Sequence, residues 1–310
     1  MSTVFNPYVP RIAQVIVQVT RPDANGNATQ QTYTFQQHRM RINVRQGGKQ
    51  FGNARVEIYG VPLATMNQIA RLWLEALTPQ GTDTIQINVF NPSPDGLSGT
   101  FVPFFQGVIM WSAVNASRMP QVFLDIEANA GGALTLIPAS PYSTPGGVTL
   151  QSALEQIIGP AGFQLDYASA APTYMLGPMR VTGEPLAQVN DIMKAFPDLT
   201  WDVSLQRVRV RTALAPIDSN SVDVNAGNGL QGYPVYSTSG LQFSTVFNPL
   251  ITPGKAINIT TEFDFVNNTQ WVAAVLAHML EPNVPGGQWT TQVAANSFGA
   301  KGNNGGNAAG

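Results

Sequence analysis

The sequence contains no cysteine, which excludes disulfide staples and thiolate metal sites and accords with a reducing compartment. Histidine occurs only at His38 and His278, neither with a second ligand at metal-binding spacing. A Ser-His-carboxylate triad would need one of these two, and no G-x-S-x-G elbow is present. Charge is scarce as well: Asp, Glu, Lys and Arg make up 11% of the 310 residues, against roughly 25% in ordinary soluble domains. The formal net charge of −2 leaves no bulk field to draw the chain to nucleic acid or an anionic membrane. So sparsely charged a surface fits one that partners cover. No apolar run approaches the roughly 20 residues of a membrane helix, and the start lacks the basic and apolar regions of a signal peptide, so a non-secreted chain without membrane insertion is expected. From these absences we expect no catalytic residue, no metal and no cofactor; a carboxylate pair assembled only by the fold stays open.

What is present reads mainly as strands. In "RIAQVIVQVT" Val15, Val17 and Val19 share one face and Gln14, Gln18 and Thr20 the other, the period of a half-buried strand. "RPDANGNATQ" is a polar hairpin loop, and "HRMRINVR" sets Met40, Ile42 and Val44 opposite Arg39, Arg41 and Arg45. Further strands are expected over 54–59, 84–90, 104–113 and 122–128. One helix interrupts them: "TMNQIARLWLEAL" aligns Met66, Ile69, Ala70, Trp73 and Leu77, with Thr65 and Gln68 at capping-box spacing.

Beyond Pro138 the texture changes. "TPGGVTLQSALEQIIGPAGFQLDY" gives a helix with Leu150, Ala153, Leu154, Ile157 and Ile158 inward, stopped by Gly159-Pro160. A second helix begins at Pro185 with Leu186, Val189, Ile192 and Phe196 inward, and strands follow through Trp201 and Val208. Strands return over 241–247, 256–261, 271–279 and 289–295, and the end is a Gly/Asn-rich tail with little to contribute to folding. Two echoes link the outer regions. "EIYGVPLATMNQI" and "TVFNPLITPGKAI" both end a strand in an aromatic and turn through proline, and "MPQVFLDIEANA" and "GGQWTTQVAANS" both close on Ala-Asn. They read as counterparts in two related β-barrels with a module inserted between them.

Candidate chemistry falls away on inspection. "GNGLQG" (residues 227–232) has dinucleotide-fingerprint letters but is followed by "YPVYSTSG", no helix former. "PGK" (residues 253–255) lacks the rest of a phosphate loop. The arginine stripes Arg39/Arg41/Arg45 and Arg207/Arg209/Arg211 read as solvated strand faces, since interleaved stacking aromatics are missing. Trp73 and Trp201 are expected in the core, and His278 on the face of Leu276 and Leu280.

In their order, these segments resemble the baseplate hub (tail hub) proteins of long-tailed bacteriophages. "NARVEIYGVPLATMNQIARL", "FFQGVIMWSAVN" and "QVFLDIEANAGG" resemble that family's first tube-like barrel, the two helical stretches its inserted domain, and "GLQGYPVYSTSGLQFSTVFNPLITPGKAINI" its second barrel. The resemblance implies an α+β, mainly β fold: a tube-like β-barrel domain over 1–137, a small α/β insertion over 138–226, a second barrel over 227–297 and a tail over 298–310. It implies a homotrimer that adapts a hexameric tail tube to a threefold spike or tip protein, contacts other baseplate proteins and encloses DNA only in transit. Such a chain is assembled in the host cytoplasm and resides in the virion tail. Phe247, Asn248, Pro249, Pro253 and Gly254 would then form an assembly-interface turn. A baseplate-associated cell-wall hydrolase and another ring-forming tail-tube component are the alternatives.

Overall fold

A computed structural model describes residues 11–22, 26–48, 51–70, 83–92, 99–237 and 240–300. The first stretch forms β1 (Ala13–Pro22), β2 (Ala28–Phe35), β3 (Met40–Gly47), β4 (Asn53–Tyr59), α1 (Leu63–Ile69), β5 (Thr84–Pro92), β6 (Gly99–Arg118) and β7 (Gln121–Asn129). Next come α2 (Gly132–Leu136), β8 (Tyr142–Thr144), β9 (Val148–Thr149), α3 (Leu150–Ile158), β10 (Gln164–Tyr167), β11 (Met175–Leu176), β12 (Met179–Val181), α4 (Pro185–Met193), β13 (Leu199–Ser204) and β14 (Arg207–Thr212). The last stretch forms β15 (Ser221–Val224), β16 (Leu230–Ser237), β17 (Gly240–Val246), β18 (Ala256–Ile259), α5 (Asp264–Asn267), β19 (Thr269–Leu280) and β20 (Trp289–Ala300).

The alternating segments become strands because one face finds a core. Val15, Val17 and Val19 are fully buried, as are Met40, Ile42 and Val44. Strand β2 (ATQQTYTF), exposed over most of its length, has no apolar face to betray it in the sequence. Helix α1 starts earlier than expected: Pro62 precedes its first turn without a side-chain cap, so Thr65 lies inside the helix. The remainder of that expected helix, Trp73 and Leu77 included, lies outside the described residues.

A 13-stranded sheet dominates, its main path running β16-β17-β20-β19-β3-β4-β7-β6-β5-β1-β2, with β15 and β18 branching off β19. Among the described residues this path is open, ending at β16 and at β2, and does not close into a barrel. The middle stretch has its own three-stranded sheet, β10-β14-β13, with β10 parallel to β14. Helix α3 buries all five expected residues, and the Thr149 hydroxyl accepts from the Ser152 amide at 3.2 Å to cap it. In α4, Val189 and Ile192 are buried and Leu186 is half-buried, as is Phe196, which lies beyond the helix end.

One five-strand arrangement occurs twice. Strands β3, β4, β7, β6 and β5 lie side by side in that order, as do β16, β17, β20, β19 and β18. The registers coincide: Ala54–Ala128, Val56–Ile126 and Ile58–Leu124 across β4 and β7 answer to Leu241–Ala295, Phe243–Val293 and Thr245–Thr291 across β17 and β20. Even the irregularity repeats. Strand β6 slips against β7 between Ile109 and Trp111, and β19 slips against β20 between Ala273 and Val275. Ile109 opposes Ala128 and Ala273 opposes Ala295, themselves counterparts. Bulges are placed features that bend and twist a strand locally, so two at one register mark a duplicated unit beyond shared hairpin chemistry. The units differ at the flank, where β1 runs antiparallel to β5 but β15 parallel to β18.

A seam joins the units: β19 pairs antiparallel with β3 from Val275–Gly47 to Leu280–Ile42. Two apolar cores accompany them. The larger spans the first unit and the middle stretch; the smaller gathers Leu241, Phe243, Ile257, Trp271, Leu276 and Val293 of the second unit.

Candidate functional site

The expected assembly turn joins β17 to β18. Phe247, the first residue after β17, is fully buried, and its amide donates to the Trp289 carbonyl at 2.9 Å. Its ring meets those of Phe104, His278 and Trp289 at centroid distances of 4.9, 5.5 and 5.7 Å. Asn248, also buried, folds the chain back: its Oδ1 accepts from the Leu250 amide at 2.9 Å and its carbonyl from Ile251 at 3.1 Å. This is an Asx turn with half-buried Pro249 fixing φ inside it. Phe247 belongs to the larger core and Ile251 to the smaller, so within four residues the chain crosses from one to the other.

Pro253 and Gly254 complete the elbow, both buried. Gly254 adopts φ +82°, its amide donates to the Ala273 carbonyl at 2.8 Å, and its carbonyl accepts from the Ile217 amide at 2.9 Å. A Cβ there would stand 2.7 Å from Nε of Arg211 on β14, and Pro253 Cβ lies where a Cβ on Gly47 would approach to 3.2 Å. The elbow thus touches both units and the middle stretch, with Leu250 as its exposed tip. Replacing Gly254 by Val combines left-handed strain with displacement of Arg211, and is expected to lower unfolding free energy by about 2–3 kcal/mol. A denaturant midpoint equal to that of the parent chain would refute this.

Of the two arginine stripes the first is the solvated face expected, with Arg39 and Arg45 exposed and Arg41 half-buried, whereas in the second only Arg207 is exposed. Arg209 and Arg211 are buried, and Arg209 Nε donates to Asp202 Oδ1 at 2.9 Å. Arg211 reaches the carbonyls of Ala213 and Ala215 at 3.3 and 3.4 Å. Burial raises the Asp202 pKa against the pull of Arg209, and lowers that of Arg211. The sequence could not show this, because an Arg-Val-Arg-Val-Arg strand with both faces covered has the same letters as one with a wet face. Arg41 is ion-paired with Glu281 at 2.8 Å, and Arg39 lies over the Tyr59 ring at 4.2 Å. Trp201 is half-buried, its ring 5.7 Å from that of Phe51.

His278 shares the face of Leu276 and Leu280, as expected, and is fully enclosed. Its Nδ1 lies 2.9 Å from Thr291 Oγ1. Burial depresses its pKa to about 3, so the ring is neutral.

One feature escaped the sequence reading. Tyr233, Val235 and Tyr236 of β16 are exposed together with Phe263, just before α5, and Phe265 within it, and the rings pair at 5.7 Å (Tyr233–Phe263) and 5.6 Å (Tyr236–Phe265). The signal available was the aromatic spacing of "YPVYS" and "EFDF" in polar surroundings. Contiguous exposed apolar surface of this kind marks an interaction face. Among the described residues no group of three or more His, Asp or Glu side chains could hold a metal ion. The fingerprint-like "GNGLQG" runs from a short 3-10 turn straight into β16, with no helix for a pyrophosphate.

No protein-family model matches the chain, and no curated protein matches it by sequence. Solved structures do. A tail protein from Neisseria meningitidis MC58 matches at TM-score 0.58 and 9% identity, covering 93% of this chain and 97% of its own. The 43 kDa tail protein of prophage MuSo2 from Shewanella oneidensis matches at 0.53 and 8%, covering 91% and 96%. The chain has the phage tail-protein fold. An Escherichia coli component of the type VI secretion system, described as similar to the T4 tail proteins gp27 and gp5, shares this tail-protein fold at 0.51 and 8%, covering 84% and 74%. The two tail proteins are covered almost end to end, so the likeness includes both strand units and the stretch between them.

Proposed function

We propose that this chain is a structural, non-catalytic component of a phage-tail baseplate: a trimeric hub that adapts a hexameric tail tube to a threefold spike or tip. The observation that carries the reading is the duplicated five-strand unit with its repeated bulge. A chain holding two equivalent units presents six of them as a trimer, and so matches a sixfold partner on one side while keeping threefold symmetry for the other. In this reading residues 1–137 and 227–297 are the two tube-like domains, open sheets in a single copy, 138–226 the insertion and 298–310 the tail, save that β15 (Ser221–Val224) joins the second unit and β20 runs on to Ala300. The tail tube protein, the spike or tip and other baseplate proteins are its neighbours in the virion, and DNA passes through the channel. The tail-protein fold supports this, as does a surface poor in charge.

The elbow at Phe247–Gly254 serves the ring from inside. It fixes how the two units and the insertion meet, and thereby the angle each chain contributes to closure.

Native mass measurement at high protein concentration, with averaged micrographs of the product, tests the reading. A closed trimer with sixfold-like outline is expected. A chain that stays monomeric, or a homohexameric ring, would overturn it.

A further inference from the structure

We propose that Arg39, Arg41 and Arg118 form a carboxylate-binding site at one end of the first unit, and that the end of the ring so marked meets an acidic loop of the threefold spike or tip. This rests on the trimeric-hub reading and assigns one face of the ring to one of its partners.

The site is built around a buried acid. Glu57, whose side chain is 8% exposed, accepts from the Tyr59 hydroxyl at 2.7 Å and holds Arg41 at 3.6 Å and Arg118 at 3.4 Å. Arg41 Nε also donates to Glu281 Oε1 at 2.8 Å, and the Gln288 amide and Arg41 keep Glu281 below the ordinary carboxylate range. Arg39 stacks on the Tyr59 ring, donates to Gln121 Oε1 at 2.9 Å and has no carboxylate partner among the described residues. These groups line a cavity of about 240 Å³. Three guanidinium groups thus face two carboxylates, and one positive charge is left over. Most of their N–H donors are unspent, on forks already fixed by Glu57, Glu281 and Gln121, so an incoming acid finds them oriented. A single surplus charge suits one carboxylate, whereas a run of phosphates would also be brought against Glu281 and repelled.

The duplication indicates the partner's symmetry. In the second unit β16 is the counterpart of β3, and β19 that of β6: Arg41 opposite Glu57 answers to Gln231 opposite Ser244, and Val114 opposite Leu124 to His278 opposite Thr291. Arg39, whose carbonyl accepts from the Tyr59 amide, answers to Gly229, whose carbonyl accepts from the Val246 amide. Arg118 opposite Gln121 answers to Glu281, whose amide donates to the Gln288 carbonyl. No counterpart of the three arginines is basic, and one is an acid already paired with Arg41. In a ring of six alternating units the site therefore recurs at every second one. A sixfold partner would meet unlike contacts at adjacent units, whereas a threefold partner meets three identical ones. The end concerned is where β4 and β6 finish and β3 and β7 begin; the chain leaves for the middle stretch from the opposite end, after Asn129.

Titration calorimetry with a hexaglutamate peptide at low salt tests the site. One peptide bound per chain is expected, with affinity falling as salt rises. Arg39→Gln, which breaks no ion pair, should weaken binding roughly fivefold or more with the melting temperature unchanged, and Arg39→Gln combined with Arg118→Gln should abolish it. Arg207→Gln, at an exposed arginine of the middle stretch, should change nothing. Equal affinity in the parent chain and Arg39→Gln would overturn the site. Tighter binding of inorganic phosphate or hexathymidylate than of hexaglutamate would make it a phosphate site and overturn the assignment to an acidic protein. Two peptides per chain, the second indifferent to Arg39→Gln, would mean that both units carry sites, and the threefold assignment would fall. A chain that stays monomeric yet binds one peptide through Arg39 would overturn the ring and keep the carboxylate site.

Discussion

Between pH 6.5 and 5 the folded chain is expected to lose about 2 kcal/mol of stability through His278 alone. The ring is sealed between Thr291, Phe104 and Phe247, and among the described residues its Nε2 has no hydrogen-bond partner. Its pKa falls from the ordinary imidazole value of 6.5 to about 3 because burial penalises the charged form. The sign follows directly. Below pH 6.5 the unfolded chain takes up a proton that the folded chain refuses, so stability drops by about 1.4 kcal/mol per pH unit until the folded pKa is reached. Over the whole window the loss approaches roughly 5 kcal/mol, enough to unfold a marginal chain. His278→Gln removes the titration, and the difference between parent and variant in urea midpoint at pH 7 and pH 5 isolates it from the carboxylates. Parallel pH dependence in the two proteins would show that the ring is not sealed.

Gly47→Val is expected to cost on the order of 3–5 kcal/mol. Gly47 ends β3 at φ +79°, and a Cβ there would stand 2.2 Å from the Ala274 carbonyl oxygen, a backbone atom that cannot swing away. The position lies in the seam, opposite Val275, where the neighbouring Gly48 amide donates to the same Ala274 carbonyl at 3.1 Å. Relief requires β3 and β19 to part. With separate cores on either side, thermal unfolding should then split into two transitions, visible by calorimetry. A single transition at the parent temperature would mean that the seam tolerates a side chain.

Much of the fold was legible because apolar alternation reports directly on a one-sided core. Val15, Val17 and Val19 of β1 and the inward stripe of α3 needed nothing more. Strand β2 was illegible because neither of its faces is apolar. Arg209 and Arg211 were misread because only a second covering layer, absent from any local pattern, makes an alternating basic strand an interior one. The duplication was half legible. Strand-level echoes were real, yet core parity sets Tyr59 against Val246, with Phe247 one residue further on. The decisive counterparts, such as Val114 and His278, share a register and no chemistry, so letters alone could not align them. The elbow residues were visible as turn formers, while their place at the meeting of two cores depends on contacts distant in the chain.

The β3–β19 seam also has a bearing on stoichiometry. Since one polypeptide makes it with itself, that seam forms at an effective concentration set by the tether and is indifferent to dilution. Translation delivers the two units in strict equality, whatever the expression level. No assembly built from this chain can incorporate an odd number of them.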